Sequence, residues 1–300
     1  MGMEARSFKL GVAPINWCND DMPELGKDIS LETCFSEMKE AGYMGTEIGH
    51  KYPNDPSQLK AMLGEYNLQL ASCTHSTFYA DKENHAKEHD RLKKRLEFLT
   101  EMGTKCINIV ENTRSIHNEK SRPLCQKPYL SENEWEAVLQ GMNEASRICN
   151  DFNIKLAYHH RMGTVIQNLD EITRIMDETK PELFHLCIDT GHLYYAGIDP
   201  IEVIEKYASR IVHVHLKDVR SEVLTTYSHQ ISYLDAVLHG VFTVPGDGCL
   251  EFEPIVSKIL DSGYKGWLMV EAEQDPCKAD PFMYARKGRK YLDQIVPKYA

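Results

Sequence analysis

Short apolar runs alternate with longer stretches in which apolar residues return at helical spacing, and eight such units follow one another along the 300 residues. The runs predicted as strands are 9–16, 45–48, 70–74, 105–110, 155–158, 186–189, 211–216 and 267–271. Several are apolar throughout, the pattern of a parallel strand buried on both faces. Eight strand–helix units are the count at which such a sheet closes on itself. The predicted architecture is therefore an α/β fold, a (β/α)8 barrel forming a single domain over residues 1–300.

The helical stretches carry their own start and stop signals. Ser30 precedes a run with Cys34, Met38 and Ala41 on one face, and Gly42 closes it. Ser57, Ser131 with Glu134 at capping-box spacing, and Asp199 followed by Pro200 mark further starts. The rhythm breaks once, at residues 219–250, which separate the seventh strand from the next helix and are long for a connection in a compact domain. Tyr227, His229, Tyr233, Phe242 and the turn Pro245-Gly246-Asp247-Gly248 give this insertion the content of an ordered flap over the barrel mouth.

Polar residues stand together where the runs of the second half end: His159-His160, Asp189-Thr190-Gly191-His192, His213-Val214-His215 and Glu271-Ala272-Glu273. Side chains alternate along a strand, so His213 and His215 share a face, one layer apart. Burying imidazoles and carboxylates at neighbouring strand ends costs several kcal/mol unless a cation or a hydrogen-bond network compensates. A mixed set of nitrogen and oxygen donors suits Mn²⁺, Co²⁺, Fe²⁺ or Zn²⁺ better than Ca²⁺. The first half offers Asn16 and Trp17 after the first strand, Glu47 and His50 around the second, His75 after the third, and Glu111-Asn112 after the fourth. An aromatic face with amide, imidazole and carboxylate tips suits a polyhydroxylated ring.

Composition narrows the function classes. The formal charge of −11 disfavours a nucleic-acid backbone or an anionic membrane as partner. The nine cysteines are scattered without CxxC spacing, which suits a reducing compartment, and the expected location is cytoplasmic. The first residues lack the apolar core of a signal peptide, and no run is long enough to span a bilayer. Gly246-Asp247-Gly248 lacks the context of a phosphate loop, and neither GxGxxG nor GxSxG occurs, so no nucleotide cofactor is expected.

At these residues the chain resembles, from end to end, the xylose isomerase-like TIM barrel superfamily. The strings that carry the resemblance are Ala13-Pro14-Ile15-Asn16-Trp17, Tyr158-His159-His160, Asp189-Thr190-Gly191-His192-Leu193, His213-Val214-His215-Leu216-Lys217-Asp218, the stretch 241–249, and Glu271-Ala272-Glu273-Gln274-Asp275-Pro276. The resemblance implies metal ligands at His159, Asp189, His215 and Glu271, with His159 standing where many members carry a carboxylate. The expected ion is manganese or cobalt, with zinc, iron or magnesium as alternatives. Arg161 stands where members often show a further histidine, and it joins His160 as a candidate substrate contact. The implied reaction is loss of water from a small polyhydroxylated cyclic ketone, with keto-sugar isomerisation or epimerisation as the alternative. Such an elimination needs a base for the proton beside the ketone and an acid for the departing hydroxyl. Glu273, His192 or His160 are the candidates for the first role. Lys217 is the candidate for donating to the hydroxyl or orienting the ketone, with Asp218 orienting Lys217 or a histidine. A fold-related DNA endonuclease fits the acidic balance poorly, a sugar-binding protein would need no metal, and association into a homo-oligomer is compatible with exposed barrel helices.

Overall fold

A computed structural model describes residues 8–296. Its strands are β1 (Lys9–Val12), β2 (Gly45–Glu47), β3 (Gln69–Ser72), β4 (Thr74–Thr77), β5 (Cys106–Glu111), β6 (Lys155–His159), β7 (Phe184–Asp189), β8 (Ile211–Leu216), β9 (Asp218–Val219), β10 (Phe242–Thr243) and β11 (Trp267–Val270). Seven of them form one parallel sheet in the order β1-β11-β8-β7-β6-β5-β4, and β2 pairs with β3 in parallel. Two backbone bonds complete the ring. Met44 N donates to Leu10 O (2.9 Å) beside β1, and Asn108 N donates to Cys73 O (2.9 Å) between β3 and β4. Since β3 and β4 are halves of one stave interrupted at Cys73, the staves number eight and the sheet is a closed (β/α)8 barrel.

The local differences from the sequence reading have plain causes. The first strand ends at Val12 because Pro14 opens a short 3₁₀ turn, Pro14–Asn16. The third stave runs on past residue 74 to Thr77. Asp55, not Ser57, caps the helix Pro56–Glu65: its carboxylate accepts from Gln58 N, and Pro56 takes the first helical position. Ser30 and the Ser131–Glu134 capping box stand where the pattern puts them, and Glu132–Asp151 is the longest helix among the described residues.

Residues 219–250 are built rather than loose. They hold the helices Ser221–Tyr227 and Tyr233–Leu238, and β10 returns antiparallel onto β9. Tyr233, Leu234, Val237, Val241 and Phe242 pack with Met22, Leu124 and Met162 into a small apolar cluster beside the main core. That cluster seats the segment over the carboxyl-terminal ends of the staves, where a β/α barrel carries its chemistry. No helix among the described residues is long and apolar enough to cross a membrane.

Candidate active site and metal centre

The polar ends of four adjacent staves meet inside this mouth. His159 ends β6, Asp189 ends β7, His215 lies in β8 and Glu271 follows β11, and these four strands are consecutive in the sheet. Asp189, His215 and Glu271 each offer a ligand atom within 4.8 Å of the others, and all are buried. His159 Nε2 lies 3.3 Å from Asp189 Oδ2. The other oxygen of Asp189 caps the short helix Thr190–Tyr195 by accepting from His192 N (2.9 Å), which fixes the carboxylate's orientation.

The contact between His215 and Glu271 tests whether these residues fit a cation. His215 Nδ1 sits 2.6 Å from Glu271 Oε2 and 3.6 Å from Asp189 Oδ2, yet it has no hydrogen bond of acceptable direction. Atoms that crowd together without aligning on one another are arranged as donors converging on a shared point. Two carboxylates and an imidazole, with a second imidazole beside them, are a donor set that Mn²⁺, Co²⁺, Fe²⁺ or Zn²⁺ accepts. The residues present fit a divalent ion.

Lys217 lies against the same carboxylates. Its fully buried ammonium contacts Glu273 Oε1 (2.7 Å), Glu271 Oε1 (2.8 Å) and Asp189 Oδ2 (3.4 Å). Burial lowers its pKa, but Asp189, Glu271 and Glu273 together outweigh that and raise it above the usual lysine value. Burial likewise raises Glu271, while His215 and Lys217 outweigh it and bring the carboxyl down to about 2. Gly191 makes this approach possible, since a Cβ there would stand 2.5 Å from Lys217 Cγ. The second oxygen of Glu273 accepts from Tyr233 Oη at 2.5 Å.

A further group lines the approach. Arg161 Nη2 donates to Asp21 Oδ2 (3.2 Å) and lies 2.5 Å from His117 Nε2. His117 Nδ1 donates to Met162 O (2.7 Å), and its Nε2 lies 3.2 Å from Asp21 Oδ2. The His117 ring stacks on Tyr233 at 3.9 Å between centroids, and His192 stacks on Tyr233 from another side at 5.6 Å. A cavity of 330 Å³, lined by Asp21, Glu47, His50, His159, Arg161 and Glu271 among others, connects the centre to solvent. His50, held by Asp20 Oδ1 at 2.7 Å, stands at its rim.

The structure does not bring every predicted residue here. Trp17 is fully buried with Nε1 donating to Glu37 Oε2 (2.5 Å), so its ring is core and not a platform for substrate. Asn16 spends its Oδ1 on Ala272 N (2.9 Å), tying the first stave to the last. His75 faces the helix layer beside Arg91 and Arg95, where burial and those cations lower its pKa to about 4. Glu111 accepts from Thr77 Oγ1, Tyr79 N, Thr113 N and Thr113 Oγ1, which holds its own loop. His160 points away from His159, as alternation requires, and its Nε2 accepts from Asp189 N (3.4 Å). Asp218 orients neither Lys217 nor a histidine, because its oxygens accept from the amides of Val219, Gly246, Gly248 and Leu250. Asp21 and His117 were not singled out from the sequence, since nothing in their local pattern marks them. Tyr233 was visible only as an aromatic of the insertion.

The chain belongs to the family described as xylose isomerase-like TIM barrel, whose sequence pattern matches residues 21–295. Within it, the chain is similar to proteins named inosose dehydratase. That of Clostridium beijerinckii is 46% identical over 97% of this chain and 98% of its own length, and that of Geobacillus kaustophilus is 42% identical over 96% and 95%. Among solved structures, an IolI protein with a bound zinc atom superposes with a TM-score of 0.71 at 15% identity, over 97% of this chain and 99% of its own. A probable 3-DHS dehydratase, AsbF from Bacillus anthracis, superposes at 0.67 and 14% over 95% and 98%. These two share the fold.

Proposed function

We propose that this chain is a metal-dependent hydro-lyase that removes water from an inosose, converting scyllo-inosose to a trihydroxycyclohexanedione. The observation that carries the reading is the convergence of Asp189, His215 and Glu271 on one point, with Lys217 and Glu273 beside them, in a chain more than two-fifths identical over nearly its whole length to inosose dehydratases. Asp189, His215 and Glu271 would hold the ion, with His159 alongside. Manganese or cobalt is the proposed metal. Such an ion supplies a Lewis acid, which makes the proton beside a ketone easier to remove and stabilises negative charge on the ketone oxygen.

The remaining roles fall to side chains. Glu273 accepts the proton, its two oxygens being held in place by Lys217 and Tyr233. Lys217 would keep positive charge next to the developing oxyanion and is the candidate donor of a proton to the departing hydroxyl. His192, 3.4 Å from Lys217 Nζ, fixes the ammonium from the other side. Arg161, locked by Asp21 and His117, presents its guanidinium to the hydroxyl groups of the ring, and His50 and Glu47 line the same cavity. At 330 Å³ the cavity suits a six-membered polyhydroxylated ring. All nine cysteines are unpaired thiols, which supports a reducing, cytoplasmic setting.

Mass spectrometry of scyllo-inosose incubated with metal-stripped protein, and with protein reloaded with Mn²⁺ or Co²⁺, tests the reading. Loss of one water only in the reloaded sample is the expected result. An unchanged mass with a changed stereoisomer distribution would replace dehydration by epimerisation.

A further inference from the structure

Glu47 lies at the end of β2, across the barrel from β8, and it is buried with no role assigned to it so far beyond bordering the cavity. Its Oε1 accepts from His213 Nε2 (2.8 Å) and from Asn108 Nδ2 (3.0 Å), and its Oε2 lies 3.0 Å from His215 Nε2. The two imidazoles of one strand therefore aim the same nitrogen at one carboxylate. A carboxylate only accepts, so both rings must carry their proton on Nε2. Nδ1 is then the nitrogen left to face a cation, and both Nδ1 atoms are buried without a hydrogen-bond partner.

For His213, one layer down, Nδ1 pairs with no carboxylate among the described residues. For His215 it faces the oxygens of Glu271 and Asp189. That nitrogen can stand against two carboxylates only with a cation between them, a proton or a metal ion. The arrangement spends a buried carboxylate and two buried histidines to create that situation.

We propose that Glu47 is the positioning residue of the metal centre: it holds His215 as the tautomer whose free Nδ1 is turned to Asp189 and Glu271, with His213 and Asn108 bracing the carboxylate from below. The inference rests on the metal centre proposed above. It also assigns Glu47 to the histidine and not to the substrate, although one edge of the residue borders the cavity. A metal-bound imidazole whose second nitrogen is anchored by a carboxylate is better oriented and a better donor than a free one.

The substitution Glu47→Gln separates these roles, because an amide has one accepting and one donating edge. Its one oxygen would have to serve His213, Asn108 and His215 together, and its NH2 edge would oppose the Nε2–H of His215. Metal affinity is read without turnover, by Co²⁺ absorption in competition with a chelator. Wild type should bind one ion, and Glu47→Gln should bind it about 10- to 100-fold more weakly with an altered Co²⁺ spectrum. Unchanged affinity and spectrum would overturn the proposal. Should the variant fail to fold, long-range proton–nitrogen spectra of ¹⁵N-histidine wild type loaded with Zn²⁺ decide the matter directly. Protonated Nε2 and metal-bound Nδ1 at His215 are expected, and the opposite tautomer overturns the proposal. A wild type that binds no ion would remove the metal centre itself, an outcome distinct from a bound ion that is indifferent to Glu47.

Discussion

At the scale of single residues, the most exposed wager is Lys217. Among the described residues its ammonium is the one lysine or arginine group in contact with the buried Asp189, Glu271 and Glu273, so Lys217→Met keeps the stem's volume and removes the charge. Breaking a buried ion pair from one side costs about 3–5 kcal/mol. Urea unfolding of the chelator-treated variant should show a loss of that order, and a divalent ion should recover part of it by neutralising the same carboxylates. A loss of the same size with and without ion would mean that lysine and metal do not share them. Asp21 offers a pH signature at a distance from the ligands. Burial raises its carboxyl, but His117 and Arg161 outweigh that and hold it well below the ordinary carboxylate value. A depressed folded pKa stabilises the protein above the unfolded value of about 3.8 and is lost as pH falls below it. Asp21→Asn should therefore cost stability at pH 7, and the gap from wild type should narrow as the pH is lowered through about 4 toward 2. A gap independent of pH would show that the carboxylate charge is not what Arg161 and His117 hold.

At the scale of elements, the insertion reaches the site through Tyr233, whose hydroxyl donates to Glu273, and Asp218 ties the insertion down. The amides of Gly246 and Gly248 bond to Oδ2, those of Val219 and Leu250 to Oδ1. A Cβ on Gly248 would meet Oδ1 at 2.4 Å, so the turn closes tightly on the carboxylate. In Asp218→Asn one of these oxygens becomes an amide nitrogen that cannot accept, which strands two backbone donors at about 1–3 kcal/mol each. Hydrogen exchange at Gly246 and Gly248 should accelerate, and turnover should fall as Tyr233 loses its seat. Unaltered exchange would mean that β9–β10 pairing alone secures the segment. The same elements show what could be read beforehand. Staves and helix caps were legible because apolar runs and capping spacings are local signals. His159, Asp189, His215 and Glu271 were legible as a group because each closes a buried run. Trp17, His75 and Glu111 were harder, because which face a residue at the end of a strand takes depends on one position of register. Glu47 appeared as a bare carboxylate near the second strand. Its partners, His213 and Asn108, are 166 and 61 positions away, and no local pattern announces such a pairing.

For the whole molecule, the two mouths of the barrel differ in chemistry. The amino-terminal mouth opens into a cavity of 1110 Å³ bordered by Lys9, Lys60, Lys105, Lys155 and Lys265, with no carboxylate among its described lining residues. Lys105, Lys155 and Lys265 each follow the end of a helix, where a cation offsets the dipole of the terminal carbonyls. The other mouth gathers Glu47, Asp189, Glu271 and Glu273 against His215 and Lys217. An ion held by His159, Asp189, His215 and Glu271 would join the ends of β6, β7, β8 and β11, four neighbours in the ring, so its binding energy would be felt by the closure of the barrel and not by one loop. An ion present at about 100 times its dissociation constant adds about 2.7 kcal/mol to the folded state. For a chain of this size that shifts Tm by about 4 °C. Chelation should lower Tm by that amount, Mn²⁺ or Co²⁺ should restore it, and amide exchange should slow along all four strands together. In Glu271→Gln, which removes the ligand between β11 and β8, the shift should vanish. A shift that survives this substitution would place the ion elsewhere, and wild type with no shift at all would leave the buried carboxylates compensated by Lys217 alone.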